Sequence, residues 1–215
     1  MINDLKIKIC GMKFPENIRE MAGLQPDYMG FIFYGGSPRN FSGEIPEIAD
    51  SIKRTGVFVN ADAQFIAEKI KKYGLQAVQL HGEESPELCS KIKDLGVEVI
   101  KAVSVGSDFN FEELDKYKGK IDFFLFDTKG KERGGTGKVF NWEILREYHL
   151  DIPFFLSGGI GIAEAGKIRY FWESVLNEEQ KKLFYGIDVN SRLEISPGLK
   201  DCQGFRDLKK ELEKI

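Results

Sequence analysis

Apolar residues gather in short runs at fairly even intervals along this chain, and several runs are apolar through most of their length. The pattern predicts strands over residues 5–9, 28–33, 56–59, 77–80, 98–102, 123–126, 153–156 and 184–187. Short, near-continuous apolar segments suit strands covered by helices on one side and by a packed core on the other. Between the runs the period becomes helical. Phe65, Ile66, Lys69, Ile70 and Tyr73 repeat at helical spacing behind Asp62, a natural N-cap, which predicts a helix over 62–73. A second helix, 86–95, follows Ser85 as N-cap with Pro86 at its first position. Further helices are expected over 141–148, 163–172 and 204–212, and a weaker one after Gly43, with Pro46 near its start.

Eight strands alternating with helices in 215 residues leave two architectures, a closed (β/α)8 barrel and an open doubly wound sheet. The dinucleotide fingerprint GxGxxG does not follow the first strand; CGMKFP does. Chemically active residues cluster after many different strands, which is how a barrel builds its mouth. The expectation is one α/β domain over residues 1–215, a (β/α)8 TIM barrel.

Composition narrows the function class. The hydrophobic fraction of 42% and charged fraction of 30% are ordinary for a soluble globular protein. A net charge of −3 offers no general cationic face to nucleic acid or an anionic membrane, although local basic spots can still take a small anion. The opening MINDLKIKIC turns charged at once and reads as no secretory leader. No apolar run approaches the ~18 residues of a membrane span. Three scattered cysteines, Cys10, Cys89 and Cys202, form neither a disulfide framework nor a zinc motif, which fits a cytoplasmic protein.

The residues just past the strand ends carry the chemistry. They are Cys10-Gly11, the Tyr34–Arg39 stretch, Asn60, His81-Gly82, Asp127, Ser157-Gly158-Gly159-Ile160 and Asp188-Val189-Asn190-Ser191. In a barrel they converge on one mouth. The turns after strands seven and eight offer backbone N–H groups and glycines, the makings of a phosphate cradle; plain turns that need positive φ are the bland alternative. Cys10 is either a small buried hydrophobe or a thiol facing the mouth, where nearby cations would favour the thiolate. Asp127 is a loop carboxylate paired with Lys129, Lys131 or Arg133, or an acid at a rigid strand tip. Arg39 is a solvated cation or an anion clamp. His81 is a hydrogen-bonding support or a site residue. Cys89, Cys202 and His149 read as structural.

Taken in order, KICGM at 8–12, GFIFYGGSPRNF at 30–41, VQLHGEE at 78–84, FDTKGKERGGTG at 126–137, LSGGI at 156–160 and GIDVNSRLEISPGLKD at 186–201 resemble the phosphoribosylanthranilate isomerase family over essentially the whole chain. The resemblance implies a (β/α)8 barrel that uses no cofactor and no metal. It implies an Amadori rearrangement of N-(5-phosphoribosyl)anthranilate to 1-(2-carboxyphenylamino)-1-deoxyribulose 5-phosphate in tryptophan biosynthesis. Carried over by motif, Cys10 would be the general base and Asp127 the general acid. Arg39 would hold the anthranilate carboxylate, with His81 also at the substrate. Ser157, Gly158, Gly159, Asp188, Asn190 and Ser191 would hold the phosphate. The partner implied is a phosphorylated small molecule, with the chain a monomer or homodimer. Two departures stand out: Met12 and Lys13 where the family often has threonine two residues after KICG, and Arg192 where it often has glycine.

Two rival readings remain, another sugar-phosphate barrel and a catalytically silent phosphate-binding scaffold. The KICG thiol and the SPRNF arginine argue against the first. Acid, base and arginine all being present argues against the second.

Overall fold

The structure, a computed structural model, describes residues 5–128 and 142–214. Eight parallel strands close into a barrel in chain order. They are β1 (Lys6–Ile9), β2 (Tyr28–Ile32), β3 (Lys53–Phe58), β4 (Ala77–Leu80), β5 (Glu98–Val105), β6 (Phe123–Thr128), β7 (Phe154–Leu156) and β8 (Phe184–Val189). β8 pairs with β1 from Lys6↔Gly186 to Ile9↔Val189, which closes the ring. A small hairpin of β9 (Glu194–Ser196) and β10 (Leu199–Lys200) follows the last barrel strand. No described helix is long and apolar enough to cross a membrane.

Among the described residues, six α-helices pack around the barrel: α1 (Pro15–Ala22), α2 (Ala63–Tyr73), α3 (Pro86–Lys93), α4 (Ala165–Tyr170), α5 (Glu178–Leu183) and α6 (Cys202–Leu212). Asp62 caps α2 by accepting from Phe65 N at 2.8 Å, and Ser85 caps α3 by accepting from Leu88 N at 3.3 Å, as their sequences require. The segment expected over 163–172 is instead a 3₁₀ turn (Ile162–Glu164), α4 and a π turn (Phe171–Val175). Trp142–Glu147 is 3₁₀, and Asn141, the expected start of that helix, lies outside the described residues.

No helix forms after Gly43. β3 begins at Lys53, three residues before the expected start, and Pro46 turns its predecessor away from helical geometry, so too little chain remains. Two helices went unforeseen. α1 carries Pro15 at its start, and α5 opens on a capping box in which Asn177 Oδ1 accepts from Gln180 N and Gln180 Oε1 from Asn177 N.

Strand alternation decides what faces inward. On β6, Phe124 and Phe126 pack outward in the main core beneath the helices, while Phe123 and Leu125 join Tyr28, Ala77, Ile100, Ala102 and Phe155 in an inner plug. Asp127 is two residues beyond Leu125 and therefore crowns the inner face. The same period carries Lys8 to Cys10, Gln79 to His81 and Phe155 to Ser157. The apolar plug fills the barrel floor and the polar members of the same rows form its upper layer.

Candidate active site

Cys10 follows β1 directly, only 4% exposed, with its N–H on Val189 O at 2.9 Å. Lys8, one inward step below it, is fully buried and pairs with Asp188 at 2.7 Å. The second oxygen of Asp188 accepts from Ser157 Oγ at 3.3 Å. Burial pushes the Cys10 thiol up from its ordinary value, while Lys8 and Lys200 pull it down. Burial also works against the Lys8 ammonium, but Asp188 and Cys10 outweigh it and hold Lys8 above its ordinary range. Thiol, lysine and carboxylate are thus one buried, mutually dependent group.

β8 runs to Val189, so Asp188 sits within the strand rather than after it. Its carboxylate faces Lys8 and Ser157, a use that the strand-tip reading did not foresee. Asp127 is likewise inside β6.

Arg39 comes from the loop after β2, where its own N–H donates to Ser37 Oγ. Its guanidinium forks onto Glu194: Nε lies 2.9 and 3.1 Å from Oε1 and Oε2, and Nη2 lies 2.7 Å from Oε2. Glu194 Oε1 also accepts from Lys200 Nζ at 2.6 Å and from Gly198 N at 3.1 Å. Lys200 Nζ reaches Asn190 Oδ1 at 2.6 Å as well. Burial would raise the Glu194 carboxyl, but the bonds from Arg39 and Lys200 overcome it and hold Glu194 at about 2. The glycine of KICG makes the close approach possible. Gly11 has φ +77, and a Cβ there would lie 2.8 Å from Arg39 Cδ and 2.9 Å from Asn190 Oδ1. Cys10, Arg39 and Asn190 are brought together at that point.

On the other side of the mouth, His81 Nε2 lies 3.3 Å from Asp127 Oδ2, and both side chains are about a third exposed. His81 Nδ1 is 2.7 Å from Gln79 Nε2. With that amide donating, Nδ1 accepts and the ring proton is on Nε2, toward Asp127. The turn beneath His81 is stitched in place. Glu84 accepts from Asn60 N and Gly82 N, and pairs with buried Lys101 at 3.0 Å. Asn60, at φ +52, accepts from Glu83 N. Asn60 is therefore a support of the His81 turn. The expected covering loop, 129–137, lies outside the described residues.

Gly158 and Gly159 adopt φ +98 and +70, which turns the chain sharply after β7. Among the described residues, the N–H groups of Gly158, Gly159 and Ile160 donate to nothing. Asn190 and Ser191 follow β8 across from this turn. Cys89 and Cys202 are thiols outside the mouth, on α3 and α6, and His149 pairs with Asp115 at the surface. No group of three or more His, Cys, Asp or Glu side chains among the described residues is placed to hold a metal.

Lys8, Glu194 and Lys200 are site residues that the sequence reading gave no role. Each lay inside a motif, KICG or the stretch ending PGLKD, but only the fold shows that their charged ends point inward.

Comparison with known proteins agrees with this architecture. A family model described as N-(5'phosphoribosyl)anthranilate (PRA) isomerase matches residues 7–210. The N-(5'-phosphoribosyl)anthranilate isomerase of Parabacteroides distasonis is 42% identical over 208 residues, covering 94% of this chain and 90% of that protein. The crystal structure of phosphoribosyl anthranilate isomerase from Thermotoga maritima superimposes with a TM-score of 0.79 at 32% identity, covering 98% of this chain and all of that one. A phosphoribosyl anthranilate isomerase crystallised with reduced 1-(o-carboxyphenylamino)-1-deoxyribulose 5-phosphate gives a TM-score of 0.77 at 28% identity, covering 98% of this chain and all of that one. By the match over residues 7–210 and the 42% identity across nearly its whole length, this chain belongs to the phosphoribosylanthranilate isomerase family.

Proposed function

We propose that the barrel mouth performs the isomerase step of tryptophan biosynthesis with Cys10 as general base, Asp127 as general acid and Arg39 as the clamp for the anthranilate carboxylate. The observation that carries these roles is the convergence on one mouth of a buried thiol and a half-buried carboxylate, each at a strand end, and a loop arginine forked onto Glu194. The likeness to a family member crystallised with reduced 1-(o-carboxyphenylamino)-1-deoxyribulose 5-phosphate supports a phosphorylated small-molecule ligand for this chain.

The substrate is a closed aminofuranoside. Asp127 gives a proton to the ring oxygen as the C1–O bond breaks, and the nitrogen lone pair forms the C1=N bond of a cationic Schiff base. That cation acidifies the C2 hydrogen. The Cys10 thiolate removes it, and the C2–H electrons become the C1=C2 bond of an enolamine as the C1=N pair returns to nitrogen. Tautomerisation moves a proton from the C2 hydroxyl to C1 and leaves the C2 ketone, so atoms and charge balance. General acid–base groups of this kind contribute ~10²–10⁴-fold each. Burial raises the Cys10 thiol on balance, and Lys8 and Lys200 work against that rise, so they favour the thiolate that the step needs.

Arg39 has donors to spare. Glu194 occupies Nε and one edge of Nη2, which leaves the outer edge of Nη1 and Nη2 for a second carboxylate. His81 holds Oδ2 of Asp127, leaving Oδ1 to face the ring oxygen. In this reading the phosphate is taken by the backbone of Gly158 and Gly159 and by Asn190 and Ser191, with Ser157 at the edge of the cradle, its own N–H already given to Phe126 O. Asp188 lies beneath that cradle without binding the phosphate itself, because its carboxylate is engaged with Lys8 and would repel a phosphate.

The test is a coupled fluorescence assay in which anthranilate, phosphoribosyl pyrophosphate and the transferase that joins them make the labile substrate in place. Decay of its fluorescence in proportion to added protein is the expected result. No decay with a verified transferase would reject the reading.

A further inference from the structure

The turn after β7 and the segment after β8 meet through one side chain. A Cβ on Gly161 would lie 3.0 Å from Cβ of Arg192 and 3.6 Å from its Cγ, and a Cβ on Gly159 would lie 4.0 Å from Arg192 Nε. The side chain of Arg192 therefore runs along Gly161 and sets its guanidinium beside Gly159. This is the turn whose N–H groups at Gly158, Gly159 and Ile160 donate to no described residue. The guanidinium is in the same state: among the described residues Arg192 makes no ion pair and no hydrogen bond. Every other described arginine has a partner: Arg19 with Glu16, Arg39 with Glu194, Arg54 with Asp50, Arg146 with Ser174 O, Arg169 with Glu173 and Arg206 with Gln203. The acid beside the turn, Glu164, is engaged by Gly161 N at 3.1 Å and by Lys167 at 3.7 Å.

An unpaired guanidinium beside consecutive unpaired N–H groups is a site for a dianion. Its planar fork matches two phosphate oxygens, and a charge-assisted bond of this kind is about twice as strong as a neutral one. We infer that Arg192 binds the phosphate of the substrate, adding a side-chain donor to the backbone cradle between β7 and β8. The inference rests on the reading of that cradle as the phosphate site. It makes Arg192 a residue that selects phosphorylated over uncharged sugars, and it assigns a use to the arginine that stands where the family often has glycine.

The experiment compares the full-length chain with Arg192→Ala and Arg192→Lys, both at an exposed position. Binding of inorganic phosphate is followed by titration calorimetry, and KM and kcat by the coupled assay. Arg192→Ala is expected to weaken phosphate binding and raise KM roughly tenfold, the size of one charge-assisted hydrogen bond, with kcat within about twofold of wild type. Arg192→Lys falls between, and inhibition by anthranilate, which has no phosphate, is unchanged. Unchanged phosphate affinity and KM in Arg192→Ala overturn the inference, as does an equal loss of phosphate and anthranilate binding, which would mark a merely structural role. Weakened phosphate binding in a protein that never consumes the substrate keeps Arg192 as a phosphate ligand and rejects the isomerase reading instead.

Discussion

The guanidinium of Arg39 is locked to Glu194, with Nη2 2.7 Å from Oε2 and Nε within 3.1 Å of both carboxylate oxygens. Glu194 is in turn held by Lys200 and by Gly198 N. A long, flexible side chain is thereby fixed before any ligand arrives, and its outer edge is aimed. Preorganisation of this kind removes the rotamer entropy that binding would otherwise cost.

Arg39→Lys tests that geometry. A lysine keeps the charge but has no two-edged fork, so it cannot serve Glu194 and a substrate carboxylate together. KM should rise roughly tenfold or more, with a smaller change in kcat. Steady-state kinetics in the coupled assay decide it, and an unchanged KM would remove Arg39 from the substrate site.

Glu194→Gln should lower stability and change how stability depends on pH. Replacing one partner of a buried pair costs about 3 kcal/mol. In the folded wild type Glu194 stays ionised down to about 2, against 4.5 for an ordinary glutamate. Below the ordinary value the unfolded chain binds a proton that the folded chain does not, so this stabilisation is full above about 4.5 and lost as pH falls toward about 2. The stability difference between wild type and variant, from denaturant midpoints, should therefore shrink from pH 6 to pH 3. A constant difference would show that the carboxylate charge is not its source.

His81→Ala should lower kcat about tenfold while leaving KM within a few-fold, because it removes the orientation of the acid and no substrate contact that Arg39 provides. His81→Asn, which keeps a donor near Asp127, should recover part of the loss. Equal kcat in wild type and His81→Ala would make the histidine a support of its turn alone.

Gly11→Ala places a Cβ 2.8 Å from Arg39 Cδ at a backbone φ of +77. The conformation alone costs about 1–2 kcal/mol. The clash moves Arg39 or Asn190, so KM should rise along with the loss in thermal midpoint. A variant with normal KM would show that Arg39 tolerates displacement.

The barrel was legible because its strands are buried on both faces and read as continuous apolar runs, all eight of which form. Their ends were less legible. Polar residues at the tops of β6 and β8, Asp127 and Asp188, look like loop in a hydrophobicity pattern but belong to the strand and to its inner row. α5 was missed because its short run, EEQKKL, has almost no apolar face, although the Asn177–Gln180 box marked its start. The roles proposed for Cys10, Asp127 and Arg39 rest on motif order, not on periodicity. Lys8, Lys200 and Glu194 stayed hidden because their meaning is pairing across strands far apart in sequence, such as Lys8 with Asp188.

The most direct test of the acid–base account is single-turnover chemistry in Cys10→Ala and Asp127→Ala, each paired with calorimetric binding of the reduced product analogue to show that the mouth is intact. The account expects each variant to lose roughly 10²–10⁴-fold in rate while binding the analogue within a few-fold of wild type. Near-wild-type turnover in either variant, with the analogue still bound, would contradict the role given to that residue.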